Sequence, residues 1–284
     1  MGKSAELQFN IDLGWEMGDV MRRYFDGERL AVDTKADKTP VTEADLFISD
    51  QVVAAFKARG RGVVSEEKGR SAAYGIRNAE YLDPIDGTKD FTAGQHRSPR
   101  RSIAAFSLGS VVGGKMVRGV IAAPLLATPR MYWAEAGQGA FRMMSRGGSE
   151  QRLRVAKAAK SGIVLVTDSA KTPKYIDRVR EQGFTPVKAG GSVMKACCLA
   201  DLGLFHQAYP ELEGDLCEKM PVVGFMSDSA WAHDYAAAAV VVREAGGLAC
   251  DKRGGALKLS KGLNGCVFSI NKTIQSQLVG AMRA

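Results

Sequence analysis

Apolar residues at the start of the chain follow a helical period. Leu7, Ile11, Gly14, Gly18, Met21 and Phe25 share one face, so residues 1 to 26 read as a single amphipathic helix whose stripe is smoothed by glycine. A second helix is expected from Thr42, with Ile48, Val52 and Phe56 on one side and Gly60 to Gly62 ending it. The period then changes. Val63-Val64-Ser65 and Tyr81-Leu82-Asp83 read as short strands that run out into acids, which is where open sheets place their chemistry. Ile103 to Leu108, Met116 to Ala122 and Met131 to Ala134 follow as an antiparallel meander, joined by Gly113-Gly114 and by the segment from Pro124 to Pro129.

Beyond the polar, glycine-bearing stretch from Ser145 to Glu150, strands alternate with helices. Ile163 to Thr167 reads as a strand, Lys174 to Gln182 and Ser192 to Ala200 as helices, and Leu204 to Tyr209 as a strand. An alanine-rich helix runs from His233 to Ala245 and closes on Gly246-Gly247. Leu248 to Asp251 and Cys266 to Ile270 are short strands, and Ile274, Leu278 and Met282 mark a final helix. The expected organisation is an N-terminal α+β domain, residues 1–146, carrying an antiparallel sheet, and a C-terminal α/β domain, residues 147–284.

Composition narrows the class. A 284-residue chain with 45% hydrophobic and 25% charged residues can bury a sizeable core, and no window offers the roughly 18 apolar residues of a membrane span. The start, Met-Gly-Lys-Ser-Ala-Glu, has no basic-then-apolar signal, and Glu6 stands where a myristoylation motif wants Ser or Thr, so a cytoplasmic address is expected. Five cysteines, two of them adjacent and none in a Cys-x-x-Cys pair, point to reduced thiols and not to a zinc cage. A net charge of +8 raises nucleic acid as a partner, but the basic residues are scattered apart from Arg97, Arg100 and Arg101. With no aromatic-interleaved basic stripe, a small anion such as a phosphate ester fits better.

The most informative segment is Asp83-Pro84-Ile85-Asp86-Gly87-Thr88. It sets two carboxylates around a proline, a turn that can aim both at one point; Gly87 lets the backbone approach a ligand, and a helix starting near Thr88 makes an anion site beside them. A surface turn with Asp86 as a helix cap is the bland alternative. Ser65-Glu66-Glu67 ends a strand with adjacent acids that repel unless solvent or a cation separates them. Asp45 lies three residues after Thr42 and matches a capping box. Asp234, at the start of the alanine-rich helix, suits the helix dipole.

These features occur in one chain together with Lys35-x-Asp37-x-Thr39-Pro40-Val41-Thr42-x-Ala44-Asp45, Glu135-x-Gly137-x-Gly139-Ala140-Phe141, Asp234-x-Ala236-Ala237 and Glu244-Ala245-Gly246-Gly247. In that order they resemble the inositol monophosphatase superfamily, from about residue 5 to 270. The resemblance implies an α/β protein of α-β-α-β-α layers with a phosphatase site between its two domains. It implies one Mg2+ on Glu66, Asp83 and the carbonyl of Ile85, a second on Asp83, Asp86 and Asp234, and a third, weaker one near Glu66. Asp45 and Thr88 are then expected to orient the attacking water, and Gly87 and Thr88 to hold the phosphate. Oxygen-only ligands select hard magnesium, and paired ions stabilise both the attacking and the leaving oxygen. Lithium sensitivity and homodimer formation are habits of the family. A metal-decayed anion- or RNA-binding protein on the same fold is the rival reading, and the intact Glu66, Asp83, Asp86, Thr88 and Asp234 argue against it.

For the substrate, Gly191-Ser192-Val193-Met194-Lys195 and Tyr209-Pro210 look most like the 3'(2'),5'-bisphosphate nucleotidase branch, with Ser192 and Lys195 touching ligand. An ordinary capped helix start with a solvated lysine is the alternative. Inositol, sugar and histidinol phosphates are the competing substrates. Three departures bear on the choice. The family usually has Trp before the late aspartate, where this chain has His233 as a substrate-contact or packing candidate, with Trp231 two residues earlier. The loop from Glu211 to Trp231 is long. Arg97, Arg100 and Arg101 either bind a second phosphate or are solvated.

Overall fold

The computed structural model of the chain describes residues 2–27, 32–34, 40–67, 72, 74–167, 175–210 and 220–283. Helix α1 (Ala5–Asp26) starts on Ser4, whose hydroxyl oxygen accepts the Leu7 N–H at 3.1 Å and satisfies one first-turn donor. A strand pair, β1 (Val32–Thr34) and β2 (Pro40–Thr42), leads into α2 (Glu43–Lys57). Lys35, Asp37 and Thr39 of the family pattern lie outside the described residues.

A seven-stranded sheet follows in chain order: β3 (Gly62–Ser65), β4 (Ala79–Asp86), β5 (Ala105–Val112), β6 (Lys115–Ala123), β7 (Arg130–Glu135), β8 (Gly139–Met143) and β9 (Gln151–Arg152). β3 and β4 are parallel, and every later pair is antiparallel. The short helix α3 (Thr88–Gly94) lies between β4 and β5. The second sheet is built from β10 (Ile163–Thr167), β11 (Thr185–Ala189), β12 (Val222–Ser227), β13 (Leu248–Asp251) and β14 (Cys266–Ser269), in the spatial order β11-β10-β12-β14-β13. Its helices are α4 (Tyr175–Glu181), α5 (Ser192–Ala200), α6 (Leu204–Ala208), α7 (Ala232–Glu244) and α8 (Lys272–Arg283).

α1 and α2 cover one face of the large sheet, α5 and α7 fill the space between the sheets, and α4 and α8 cover the small sheet from outside. This is the α-β-α-β-α sandwich expected from the sequence. Two apolar cores result. Leu7, Phe25, Ile48, Leu82 and Leu108 belong to the outer one, while Tyr81, Ile121, Val164, Phe225 and the alanines of α7 belong to a core that joins both sheets.

The alanine run of α7 has a packing cause. A Cβ on Gly119 of β6 would stand 2.2 Å from the Ala237 carbonyl oxygen, and one on Gly109 of β5 would stand 2.6 Å from the Ala236 methyl. Glycine below and alanine above let the helix backbone settle onto the sheet. The depth of α7, and with it the height of Asp234 over the strands, is set by this contact.

Leu204 to Tyr209 is a correction to the sequence reading: the segment is α6 and not a strand. Leu204, Phe205 and Ala208 are buried while His206 and Gln207 are not, a helical stripe too short for periodicity to declare. The long loop before Trp231 contains β12, the central strand of the small sheet. Its six residues are all buried, so they show no alternation to mark a strand. β11 carries Pro186 and takes an edge position, where a missing N–H is tolerated. Cys197, Cys198, Cys250 and Cys266 are buried and free of disulfides. None of the described helices is long and apolar enough to cross a membrane.

Gly119→Ala is expected to destabilise the protein by about 1–3 kcal/mol through overpacking. Gly280→Ala, in α8 with nothing within 4 Å of the added methyl, should be neutral or stabilise by up to about 1 kcal/mol. Urea denaturation of the two variants checks the contrast.

Candidate active site

Asp83 and Asp86 are three residues apart on β4, and in a regular strand an odd spacing sends side chains to opposite faces. The strand is not regular there. Asp83 pairs with Ser107 and Asp86 with Ala105, three steps on β4 against two on β5, so one extra residue is accommodated beside Pro84. Both acids therefore share the face of Ser107, Ala105 and Gly109, the face α7 covers. Leu82 and Ile85 point into the opposite, outer core. The proline does not end the strand, as its chemistry suggests; it sits in the bulge that gathers the two carboxylates.

Glu66 continues β3 by one residue, its N–H donating to the Leu82 carbonyl at 3.0 Å, and its side chain hydrogen-bonds that of Asp83. Asp86 bridges to the other half of the fold. Its Oδ1 and Oδ2 accept the N–H groups of Ser192 and Val193 at 2.9 Å each, the first two donors of α5. Gly191 just before them has φ +56°, and a Cβ there would come within 3.3 Å of Asp86 Oδ2. Tyr209 Oη donates to the Gly190 carbonyl at 2.9 Å and holds the turn. Asp234 lies in the first turn of α7, where its Oδ2 accepts the Trp231 N–H at 2.7 Å.

Asp45 completes the expected capping box: its Oδ2 accepts from the Thr42 N–H at 2.8 Å and from the Thr42 hydroxyl at 2.6 Å. Its other oxygen, Oδ1, lies 3.4 Å from the Thr88 hydroxyl, which also reaches the Ile85 carbonyl at 3.1 Å. The cap and the site thus share one carboxylate. Gly87, at φ +85°, provides the left-handed turn from which α3 starts at Thr88.

Crowding these acids in a buried space shifts their titration. Asp83 is held well above its ordinary value of 3.8 by burial, then by the charges of Glu66, Asp86 and Asp234. Asp86 is pushed up to about 7 by burial and by Asp234, against the pull of the α5 N–H groups and Lys195. Burial also raises Asp45 to about 7, with Glu67 and Glu66 adding to it and the Thr42 bonds opposing it. Asp83 Oδ1 is buried without a hydrogen-bond donor.

A divalent cation with a preference for oxygen fits this donor set by charge and by chemistry. Among the described residues, no three acidic, histidine or cysteine side chains already close into a ligand shell. Asp86 and Asp234 are turned towards backbone N–H groups.

The remaining expected residues fall elsewhere. Ser192 serves Asp86 through its backbone. Lys195, expected at the ligand, is 1% exposed, and its ammonium donates to the Ala189 carbonyl at 2.8 Å and lies 5.2 Å above the Phe225 ring. These contacts are internal because the α5 face that carries Lys195 packs on β12, and its ammonium also lies in the field of Asp86 and Asp234. His233 is 4% exposed and hydrogen-bonded to Tyr74, so it too is a packed residue. Arg97 and Arg100 are exposed, and Arg100 donates to the Gln95 carbonyl at 2.9 Å. Arg97 and Arg101 line a cavity of about 10 Å³ with Ile103 and Pro210, which is too small for a phosphate. Tyr74 belongs to the neighbourhood without any sequence signal, whereas Glu67 was marked by the pair it makes with Glu66 and Tyr209 by Tyr209-Pro210.

Two proteins of similar sequence carry phosphatase names. A Mycobacterium tuberculosis histidinol-phosphatase is 30% identical over 250 residues, 85% of each chain. An inositol-1-monophosphatase of Mesorhizobium japonicum is 30% identical over 290 residues, 100% of this chain and 98% of its own. An IMPase of Thermotoga maritima has the same fold, with a TM-score of 0.75 and 22% identity over 99% of this chain and 97% of that one. The chain belongs to the inositol monophosphatase family, whose profile matches residues 3–283.

Asp45 and Asp86 titrate near 7 in the folded protein against an ordinary 3.8. A carboxyl raised in this way contributes stability that is complete below about pH 4 and is lost as pH rises through about 7. Protein freed of divalent ions is therefore expected to melt at a lower temperature at about pH 8 than at about pH 5, and Asp45→Asn should shrink that difference. Equal slopes for wild type and variant in thermal melts would count against a buried charge at Asp45.

Proposed function

We propose that the chain is a magnesium-dependent phosphatase that hydrolyses a small phosphate monoester by attack of water on phosphorus. The observation that supports it best is the bulge in β4, which turns Asp83 and Asp86 onto one face beneath Asp234 and beside Glu66. In this reading Glu66, Asp83, Asp86, Asp234 and the Ile85 carbonyl hold two to three ions. Bound magnesium supplies Lewis-acid charge to the phosphoryl oxygens and to the attacking water.

The chain's own groups do the rest. Gly87, without a side chain, lets a phosphate approach the start of α3, whose dipole favours its negative charge. The Thr88 hydroxyl donates to Asp45 Oδ1 and offers its lone pairs to the water; Asp45, with its raised affinity for a proton, accepts the one the water loses. The layers α5 and α7 keep bulk water from the inner side of the cluster, where charges act at full strength.

The substrate reading narrows to monophosphates. Lys195, which with Ser192 carried the bisphosphorylated-nucleotide expectation, donates inside the fold to the Ala189 carbonyl. Histidinol phosphate and inositol 1-phosphate, the substrates that the relatives' names indicate, are the leading candidates.

Purified protein should release inorganic phosphate from at least one of histidinol phosphate, inositol 1-phosphate and 3'-phosphoadenosine 5'-phosphate, with magnesium and not with EDTA. Asp83→Asn should lower that rate by more than about 100-fold while circular dichroism stays unchanged. Full activity in Asp83→Asn, or in EDTA, would remove the metal assignment. Turnover of the nucleotide at least tenfold above the other two would reverse the substrate order.

A further inference from the structure

We propose that Tyr74 is a positioning residue for Asp234 and acts through His233. The proposal rests on the reading of Asp234 as a metal ligand. Tyr74 Oη lies 2.9 Å from His233 Nδ1, and His233 Nε2 lies 3.4 Å from Asp234 Oδ1. A carboxylate only accepts; in the relay His233 is the Nε2–H tautomer, so its Nδ1 accepts and the Tyr74 hydroxyl donates to it. Burial, with the charges of Asp234, Glu66 and Asp83 nearby, keeps the Tyr74 phenol protonated and able to donate.

Packing holds the relay in place. The Tyr74 ring centroid is 5.8 Å from Trp231, 6.2 Å from Tyr81 and 6.3 Å from His233, while the rings of Trp231 and His233 are parallel within 8°. His233 is buried and cannot swing away. Asp234 thus has the Trp231 N–H bonded to Oδ2 (2.7 Å) and the imidazole beside Oδ1 (3.4 Å). A carboxylate held in this way presents fixed lone pairs to a cation.

The relay also spans the fold. Tyr74 comes from the β3–β4 connection that begins with Glu66, and His233 comes from α7, so the hydrogen bond ties the segment after one acid to the helix that carries another.

Magnesium titrated calorimetrically into divalent-free protein tests the relay. Tyr74→Phe keeps the ring and removes one oxygen; it should weaken binding roughly 10-fold, the lower bound for loss of an outer-shell partner. KM for the substrate at saturating magnesium should stay within about 2-fold, since Tyr74 acts on the ligand and not on the substrate. His233→Gln keeps an N–H near the Nε2 position but offers Tyr74 no ring nitrogen, so adding Tyr74→Phe to it should change binding by less than about 2-fold. In 15N spectra of the divalent-free protein, His233 should be the Nε2–H tautomer, and Tyr74→Phe should relax that preference.

Wild-type affinity in Tyr74→Phe, or multiplicative effects of the two substitutions, would overturn the proposal. A Tm loss above about 5 °C in Tyr74→Phe would do the same by assigning Tyr74 a packing role. Asp234→Asn separates the two levels: if it binds magnesium like wild type, the reading of Asp234 as a ligand fails, whereas weak binding there with normal binding in Tyr74→Phe sinks only the relay.

Discussion

Mutual repulsion of buried carboxylates is the interaction around which this molecule is organised. Burial raises the proton affinity of Asp83 and Asp86 by removing the water that screens such charges elsewhere; the charges of Glu66, Asp86 and Asp234 add to it at Asp83, and that of Asp234 at Asp86. The fold answers with backbone dipoles. α2, α3, α5 and α7 all begin at the cluster, so each turns its positive end towards it. The N–H pair of α5 on Asp86 and the Trp231 N–H on Asp234 are the direct form of that compensation.

Holding helix ends at one point demands close packing between layers. The Gly109 and Gly119 contacts with Ala236 and Ala237 lower α7 onto the sheet and bring its first turn to the height of the β4 acids. The bulge between Asp83 and Asp86 is the other half of the same device, because it turns two acids of opposite parity onto the face that α7 covers. A phosphatase that works by positioned charge needs this rigidity, since its acids do little more than hold and orient. The relay from Tyr74 through His233 extends the scheme to the β3–β4 connection.

Much of this was legible in the sequence. Asp83 to Thr88, Ser65 to Glu67, the Thr42 cap of Asp45 and the alanine run after Asp234 are local patterns, and each corresponds to a local arrangement that the structure contains. β12 and α6 were not legible, because short, fully buried runs carry no period that separates strand from helix. The surroundings of Lys195 were not legible for a related reason. A lysine after a glycine-serine turn looks like a ligand contact, and only the packing of α5 on β12 shows that its ammonium points to the Ala189 carbonyl.

The chain by itself determined which chemical groups are present and in what order: hard oxygen donors at strand ends, caps at helix starts, small residues where a helix must lie close to a sheet. These are short-range properties, set by neighbours within a few residues. Tertiary structure alone decided that the acids share one face and one buried space, that Asp86 is held by α5 more than 100 residues away, and that Tyr74 reaches His233 across 159 positions. Burial and electrostatic coupling depend on distances through space, and the order of residues along a strand does not contain them.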